Sequence, residues 1–213
     1  MKNITGLMVV YKTLDYLEEA YNSFRKFYPK VKLVIVDNSE GDECTEFLKE
    51  SLKLDDNLEV LFMERNVGHG LGLHAGIEHI KTKYIYFFDS DTKMLKGGLL
   101  EKLIDEAKAV DNNFYVISKT SYVDRGGRDI RGNDDSREKV KWAYGYATLL
   151  NRKKYFEYPP LTKYGLCILK AYVAIHDEGR GEELIRHFPV DGYVKHAWGG
   201  TRARYGDCEK IVK

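Results

Sequence analysis

The chain has 213 residues, 43% hydrophobic and 31% charged, which suits one domain with a sizeable core and is too apolar for a disordered segment. A formal net charge of +1 excludes a general polyanion-binding field and argues against a nucleic-acid partner. Three scattered cysteines, no apolar run of bilayer length and no leader pattern lead us to expect a soluble protein of the cytoplasm with no transmembrane segment.

Residues 4–11 (ITGLMVVY) read as a first buried strand. Leu14, Leu17, Ala20, Tyr21 and Phe24 then recur at helical spacing, and the helix they mark stops near Pro29. Residues 31–36 form a second strand that runs into Asp37-Asn38-Ser39-Glu40-Gly41. Phe47, Leu48 and Leu52 mark a short helix, and residues 58–63 a third strand. A glycine-rich passage follows, Asn66-Val67-Gly68-His69-Gly70-Leu71-Gly72, and leads into a helix over 73–80. Glycine there would let backbone approach a ligand and leave amide groups free at a helix start.

The next strand carries the clearest signal. Tyr84, Ile85, Tyr86, Phe87 and Phe88 are continuous apolar or aromatic residues, as in a strand buried on both faces of a parallel sheet. The run ends in Asp89-Ser90-Asp91. Two carboxylates two residues apart, at the carboxyl end of such a strand, can share one hard divalent cation. A plain turn or helix cap is the competing reading of the same residues. A helix over 99–110 and a strand over 114–118 complete a strict alternation. That alternation predicts βαβ units and an α/β fold, a Rossmann-like, mainly parallel sheet flanked by helices.

Beyond residue 120 the pattern changes. Residues 122–139 are dense in charge, hold three glycines and lack apolar periodicity, so they read as a mobile loop, either a lid over the site or plain disorder. A strand is expected over 142–150, helices over 161–175 and 182–187, and a last strand over 190–194. His196 follows, and a neutral imidazole there would be a further metal ligand. We expect a single domain over 1–213, divided into halves over 1–118 and 119–213.

One rival motif is present. Gly70-Leu71-Gly72-Leu73-His74-Ala75 fits G-x-G-x-x-A, with Asp89 lying 19 residues beyond Gly70, as in a dinucleotide fingerprint of an NAD-dependent oxidoreductase. It follows the third strand rather than the first, and leaves Asp37, Asp91 and His196 without a role.

Taken in order, these motifs resemble family 2 glycosyltransferases of the GT-A fold. Val34-Ile35-Val36-Asp37-Asn38-Ser39 resembles the family's V-V-D-N/D-S segment, which implies that Asp37 contacts the nucleotide base. Asn66, Gly68 and Gly76 resemble its N-x-G-(x)5-N-x-G segment along the nucleotide, with His74 in the second Asn slot. Asp89-Ser90-Asp91 matches its D-x-D, and His196 with Gly199-Gly200-Thr201 its H-x-x-G-G-S/T. The opening P-x-Y/F-N is replaced by Val10-Tyr11-Lys12-Thr13, so only Tyr11 carries over, as a stacking surface for the base.

The resemblance implies transfer of a sugar from a nucleotide-diphosphate donor to a glycan, lipid or protein acceptor, with residues 1–118 as the nucleotide-sugar-binding half and 119–213 as the acceptor-side half. It also implies Mn²⁺ or Mg²⁺ held by Asp89, Asp91 and His196. The family's Glu-Asp pair has no clear counterpart, because its slot reads Tyr164-Gly165-Leu166-Cys167. Asp177, 86 residues after Asp91, is the carboxylate taken as general base. The missing pair equally suits an inactive member that binds a sugar nucleotide or a glycan.

Overall fold

A computed structural model of the chain describes residues 1–130, 138–163 and 165–197. The first half alternates as its periodicity dictates. Strand β1 (Ile4–Val10) leads to helix α1 (Leu14–Phe27), β2 (Lys32–Asp37), α2 (Glu43–Leu52) and β3 (Leu58–Phe62). Helix α3 (His69–His79), β4 (Tyr84–Phe87), β5 (Thr92–Met94), α4 (Leu99–Ala109) and β6 (Val116–Ser118) follow. The second half holds β7 (Thr120–Val123), β8 (Val140–Ala143), β9 (Thr148–Asn151), α5 (Arg152–Tyr155), α6 (Leu169–Asp177), α7 (Gly181–Leu184), β10 (Ile185–His187) and β11 (Val194–His196).

Seven strands form the central sheet in the order β10-β6-β9-β4-β1-β2-β3. All neighbours pair in parallel except β9, which runs antiparallel to both β4 and β6. The chain steps outward from β1 to β2 and β3, then returns to place β4 on the other side of β1. That reversal opens a crevice beyond the carboxyl ends of β1 and β4, the usual ligand position in such sheets. Two smaller ribbons, β5 with β11 and β7 with β8, flank the sheet.

The sheet is covered on both faces. Leu17, Ala20 and Phe24 of α1, Leu48 of α2 and Leu103 of α4 pack on one face. Leu73 and Ile77 of α3, and Ala171, Tyr172 and Ile175 of α6, pack on the other. Burial on both sides explains why β1 and β4 read as unbroken apolar runs rather than alternating ones.

Four expectations need correction. The stretch over 142–150 is two strands, β8 and β9, joined by a turn at Tyr144-Gly145-Tyr146-Ala147. Ser118 Oγ donates to the Tyr144 and Ala147 carbonyls at 3.0 and 2.9 Å, and Thr148 Oγ1 to the Tyr144 carbonyl at 2.6 Å. Those bonds satisfy a turn whose aromatic composition disguises it as a strand. The helix expected from 161 starts at Leu169, because Thr162 N donates to the Cys167 carbonyl and Gly165 takes φ 70°. Residues 182–187 divide into α7 and β10, and the strand expected over 190–194 is a turn followed by β11.

The stretch over 122–139 is not without structure. Tyr122 and Val123 belong to β7, which pairs with β8 just beyond the stretch, and Val123 bridges Asp129. Residues 131–137, the middle of the expected lid, lie outside the described residues, as do Tyr164 and Gly199-Gly200-Thr201.

Candidate metal and donor site

The carboxyl ends of β1, β2 and β4 and the segment after β3 bring Tyr11, Asp37, Asn66, Gly68, Asp89 and Asp91 to one edge, through a continuous series of contacts. Tyr11 follows β1, and the backbone beyond it turns sharply, with Lys12 at φ 50°. Lys12 N donates to Ser39 Oγ at 3.1 Å, and Asn38 N to the Val10 carbonyl at 3.0 Å, so Tyr11 and the Asp37 segment are tied together. Asp37 ends β2 and is 2% exposed. Its carboxylate accepts from Ser39 N at 2.8 Å and Thr45 Oγ1 at 2.5 Å, which fixes its orientation.

Asn38 then reaches across to the glycine passage, where its Nδ2 lies 3.4 Å from the Gly68 carbonyl. Asn66 Oδ1 accepts from Gly68 N at 2.8 Å, and Asn66 N donates to Glu40 Oε1 at 2.9 Å. Asn66 therefore shapes the turn that Gly68 closes at φ 92°. The glycines beyond it do a different job from the one expected. A Cβ on Gly70 would lie 1.8 Å from the Thr162 carbonyl oxygen, and one on Gly76 would lie 2.3 Å from Leu7 Cδ1. They are small so that α3 can press on β1 and on the 162–167 loop, not to admit a ligand. Packing thus accounts for Gly70, the first glycine of the G-x-G-x-x-A match, without a dinucleotide.

His74 points elsewhere. Its Nδ1 lies 2.6 Å from the Tyr155 hydroxyl, linking α3 to α5, and its Nε2 lies 3.6 Å from Glu78.

Asp89 and Asp91 follow β4, and His196 returns to them along β11. The ribbon places His196 opposite Thr92, and Ala197 N donates to the Asp91 carbonyl at 3.1 Å. His196 Nε2 lies 2.9 Å from Asp91 Oδ1 and 3.3 Å from Asp89 Oδ2. The Tyr146 ring stacks on the imidazole with centroids 4.9 Å apart, and its hydroxyl donates to Asp191 at 2.9 Å. One ligand atom from each of Asp89, Asp91 and His196 falls within 4.8 Å of the others.

The two carboxylates draw positive charge to this edge. Burial works against charge on His196, yet the Asp89 and Asp91 carboxylates 3.3 and 2.9 Å away overcome this and raise its pKa to about 9. Burial also opposes charge on Asp89, but hydrogen bonding to His196 and the nearby His69 hold its carboxyl below the usual range. Burial, and then the Asp89 charge, push the Cys167 thiol up to about 12, so this sulfur stays a thiol and does not compete as a soft thiolate. Two carboxylates and one imidazole fit Mn²⁺ or Mg²⁺.

Asp177 does not join this group. It ends α6 as an exposed carboxylate paired with Arg125, which also binds Glu138. Its hydrogen bond to Arg125 holds its pKa below the ordinary value, which makes it a weak proton acceptor. Two residues at the site were not singled out from sequence, His69 and Tyr146. His69 stood inside the glycine motif; Tyr146 had no signal beyond its aromatic neighbours.

The chain shares its architecture with solved GT-A structures. A mannosyltransferase from Pyrobaculum calidifontis, solved with GDP-Man and Mn²⁺, superposes with a TM-score of 0.66 at 10% identity, over 88% of this chain and 55% of that one. GalNAc-T7 with UDP, GalNAc and Mn²⁺ superposes with a TM-score of 0.71 at 15% identity, over 91% and 43%. An uncharacterized glycosyltransferase of Haemophilus influenzae is 24% identical over 156 residues, which are 73% of this chain and 60% of its own. This chain thus spans 60% or less of each of these proteins. Residues 7–172 match the family model "Glycosyl transferase family 2", and with its GT-A fold the chain belongs to that family.

Proposed function

We propose that the chain transfers a sugar from a nucleoside-diphosphate donor to an acceptor hydroxyl on a glycan, lipid or protein. In this reading Asp89, Asp91 and His196 hold Mn²⁺ or Mg²⁺. The observation that carries it is the convergence of their ligand atoms within 4.8 Å at the carboxyl edge of the sheet. The nucleotide and Mn²⁺ present in the two structural neighbours support it.

When bound, the cation supplies positive charge to a leaving diphosphate. The chain's own residues bind and orient. Asp37, held by Thr45 and Ser39, presents its carboxylate to a base or ribose hydrogen-bond donor. Tyr11 offers a ring face beside it, while Asn66 and Gly68 set the course of the backbone toward the cation. Transfer does not rest on Asp177, whose carboxylate Arg125 engages. That engagement favours a second reading, a protein that binds a sugar nucleotide without turning it over.

Calorimetry with UDP- and GDP-sugars, with and without Mn²⁺, tests the shared part of both readings. At least one donor is expected to bind, and only with metal; no binding by any donor would remove both. Donor consumption in the presence of candidate acceptors then separates transfer from binding.

The pKa of His196 adds a pH dependence. With a pKa near 9, the metal-free ring is protonated at neutral pH, and a cation must displace that proton. Mn²⁺ affinity should therefore rise about tenfold per pH unit between pH 7 and 8.5 and weaken as pH falls, one proton being released per ion. His196→Gln should bind more weakly at pH 8.5 and lose most of the slope. An unchanged slope in that variant would take His196 out of the ligand set.

A further inference from the structure

His196 reaches Asp89 and Asp91 on a three-residue strand paired with β5. That pairing fixes its backbone, but the imidazole can still turn about its own side-chain bonds, and a ligand nitrogen serves only when it is aimed. The plane of the ring is set from across the site. Tyr146, in the turn between β8 and β9, lays its ring on the imidazole with centroids 4.9 Å apart and planes 21° apart. The His196 side chain is only 9% exposed, so a ring turning out of that plane would drive its edge into the tyrosine face.

Tyr146 is itself held at both ends. Its carbonyl accepts from Thr92 Oγ1 at 3.1 Å, and its hydroxyl donates to Asp191 Oδ1 at 2.9 Å. The other Asp191 oxygen accepts from Lys119 Nζ at 2.7 Å. Thr92 is the residue opposite His196 in the β5–β11 ribbon, and Asp191 lies in the turn that leads into β11. The tyrosine is therefore anchored to both sides of the ribbon that delivers His196.

We infer that Tyr146 is a positioning residue for the cation, its ring face holding the His196 imidazole in the plane that aims Nε2 at the Asp89 and Asp91 oxygens. The hydroxyl serves the ring rather than the ion, because it is directed to Asp191. The inference rests on reading Asp89, Asp91 and His196 as a metal site, and the test keeps the two apart.

Tyr146→Met fills most of the ring's volume with a flexible chain that has no flat face. By calorimetry it should bind Mn²⁺ at least ~10-fold more weakly, as expected when a partner that orients a metal ligand is lost. Tyr146→Phe keeps the face, and the Asp191 carboxylate it leaves is exposed and still paired with Lys119, so it should bind within about threefold of the wild type. A double-mutant cycle separates aiming from packing. In a His196→Ala background, where the two aspartates give residual binding, Tyr146→Met should cost less than about twofold, because no imidazole is left to aim. The same loss in both backgrounds would make Tyr146 a packing residue and overturn the inference. Should the methionine variant fail to fold, Tyr146→Leu carries the same expectations. If His196→Ala weakens Mn²⁺ binding and Tyr146→Met does not, this inference alone fails. If His196→Ala binds Mn²⁺ like the wild type, the ligand assignment is wrong and the inference falls with it.

Discussion

Asp91→Ala is expected to weaken Mn²⁺-dependent binding of a nucleoside-diphosphate sugar by at least ~100-fold, the upper end of what losing even an outer-shell partner does at metal sites. The fold should hardly notice. The Asp91 backbone carbonyl, which accepts from Ala197 N, survives the substitution, and His196 keeps Asp89 at 3.3 Å. Stability should fall by about 1 kcal/mol, a shift of ~2–4 °C in a chain of this size. Calorimetry and thermal denaturation read the two effects separately. A variant that melts like the wild type and binds donor within threefold of it would dissolve the metal assignment.

That Asp91 could be chosen from sequence has a physical cause. The five apolar residues before Asp89 are buried, as an inner strand of a sheet covered on both faces requires, and ligands collect where such a strand ends. The same logic made Asp37 legible, since Val34, Ile35 and Val36 form a shorter run of the same kind. His196 is a harder case. It reaches the site on a three-residue strand paired with β5, and no periodicity within 194–196 announces that pairing. Only resemblance to a family motif pointed to it.

The second half was less legible because its order comes from contacts distant in sequence. The 144–147 turn is held by Ser118 and Thr92, residues far upstream of it. Asp177 shows the limit most plainly. Its distance along the chain from Asp91 made it a plausible base, but Arg125, 52 residues away, decides its surroundings. His74 is similar, since its partner Tyr155 lies 81 residues on. Sequence spacing places a residue on an element, whereas its partner across the fold sets its chemistry.

Gly70→Ala should be the most damaging of the small substitutions. Its Cβ would stand 1.8 Å from the Thr162 carbonyl oxygen and 2.6 Å from Cys167 Cβ, where real Cβ contacts do not occur. The obstacle is backbone, so no side-chain rotation relieves it. The amide of Gly70 also donates to the Lys163 carbonyl at 3.2 Å, which ties α3 to the 162–167 loop at that point. Either the loop or the helix must move. We expect a loss of at least ~3 kcal/mol, the upper part of the range for overpacking, and a fall in Tm of ~6–12 °C. Gly41→Ala is the control: its φ of 88° is strained for alanine, but nothing lies within 4 Å, so ~1 kcal/mol is expected. A Gly70 variant no less stable than the Gly41 variant would show that the passage is not packed as described. In that case a ligand-approach role for this glycine would again be the better account. If the large loss is found, weaker donor binding should accompany it at temperatures where the variant is still folded, because displacing the start of α3 disturbs the Gly68 turn that Asn38 and Asn66 hold beside Asp37.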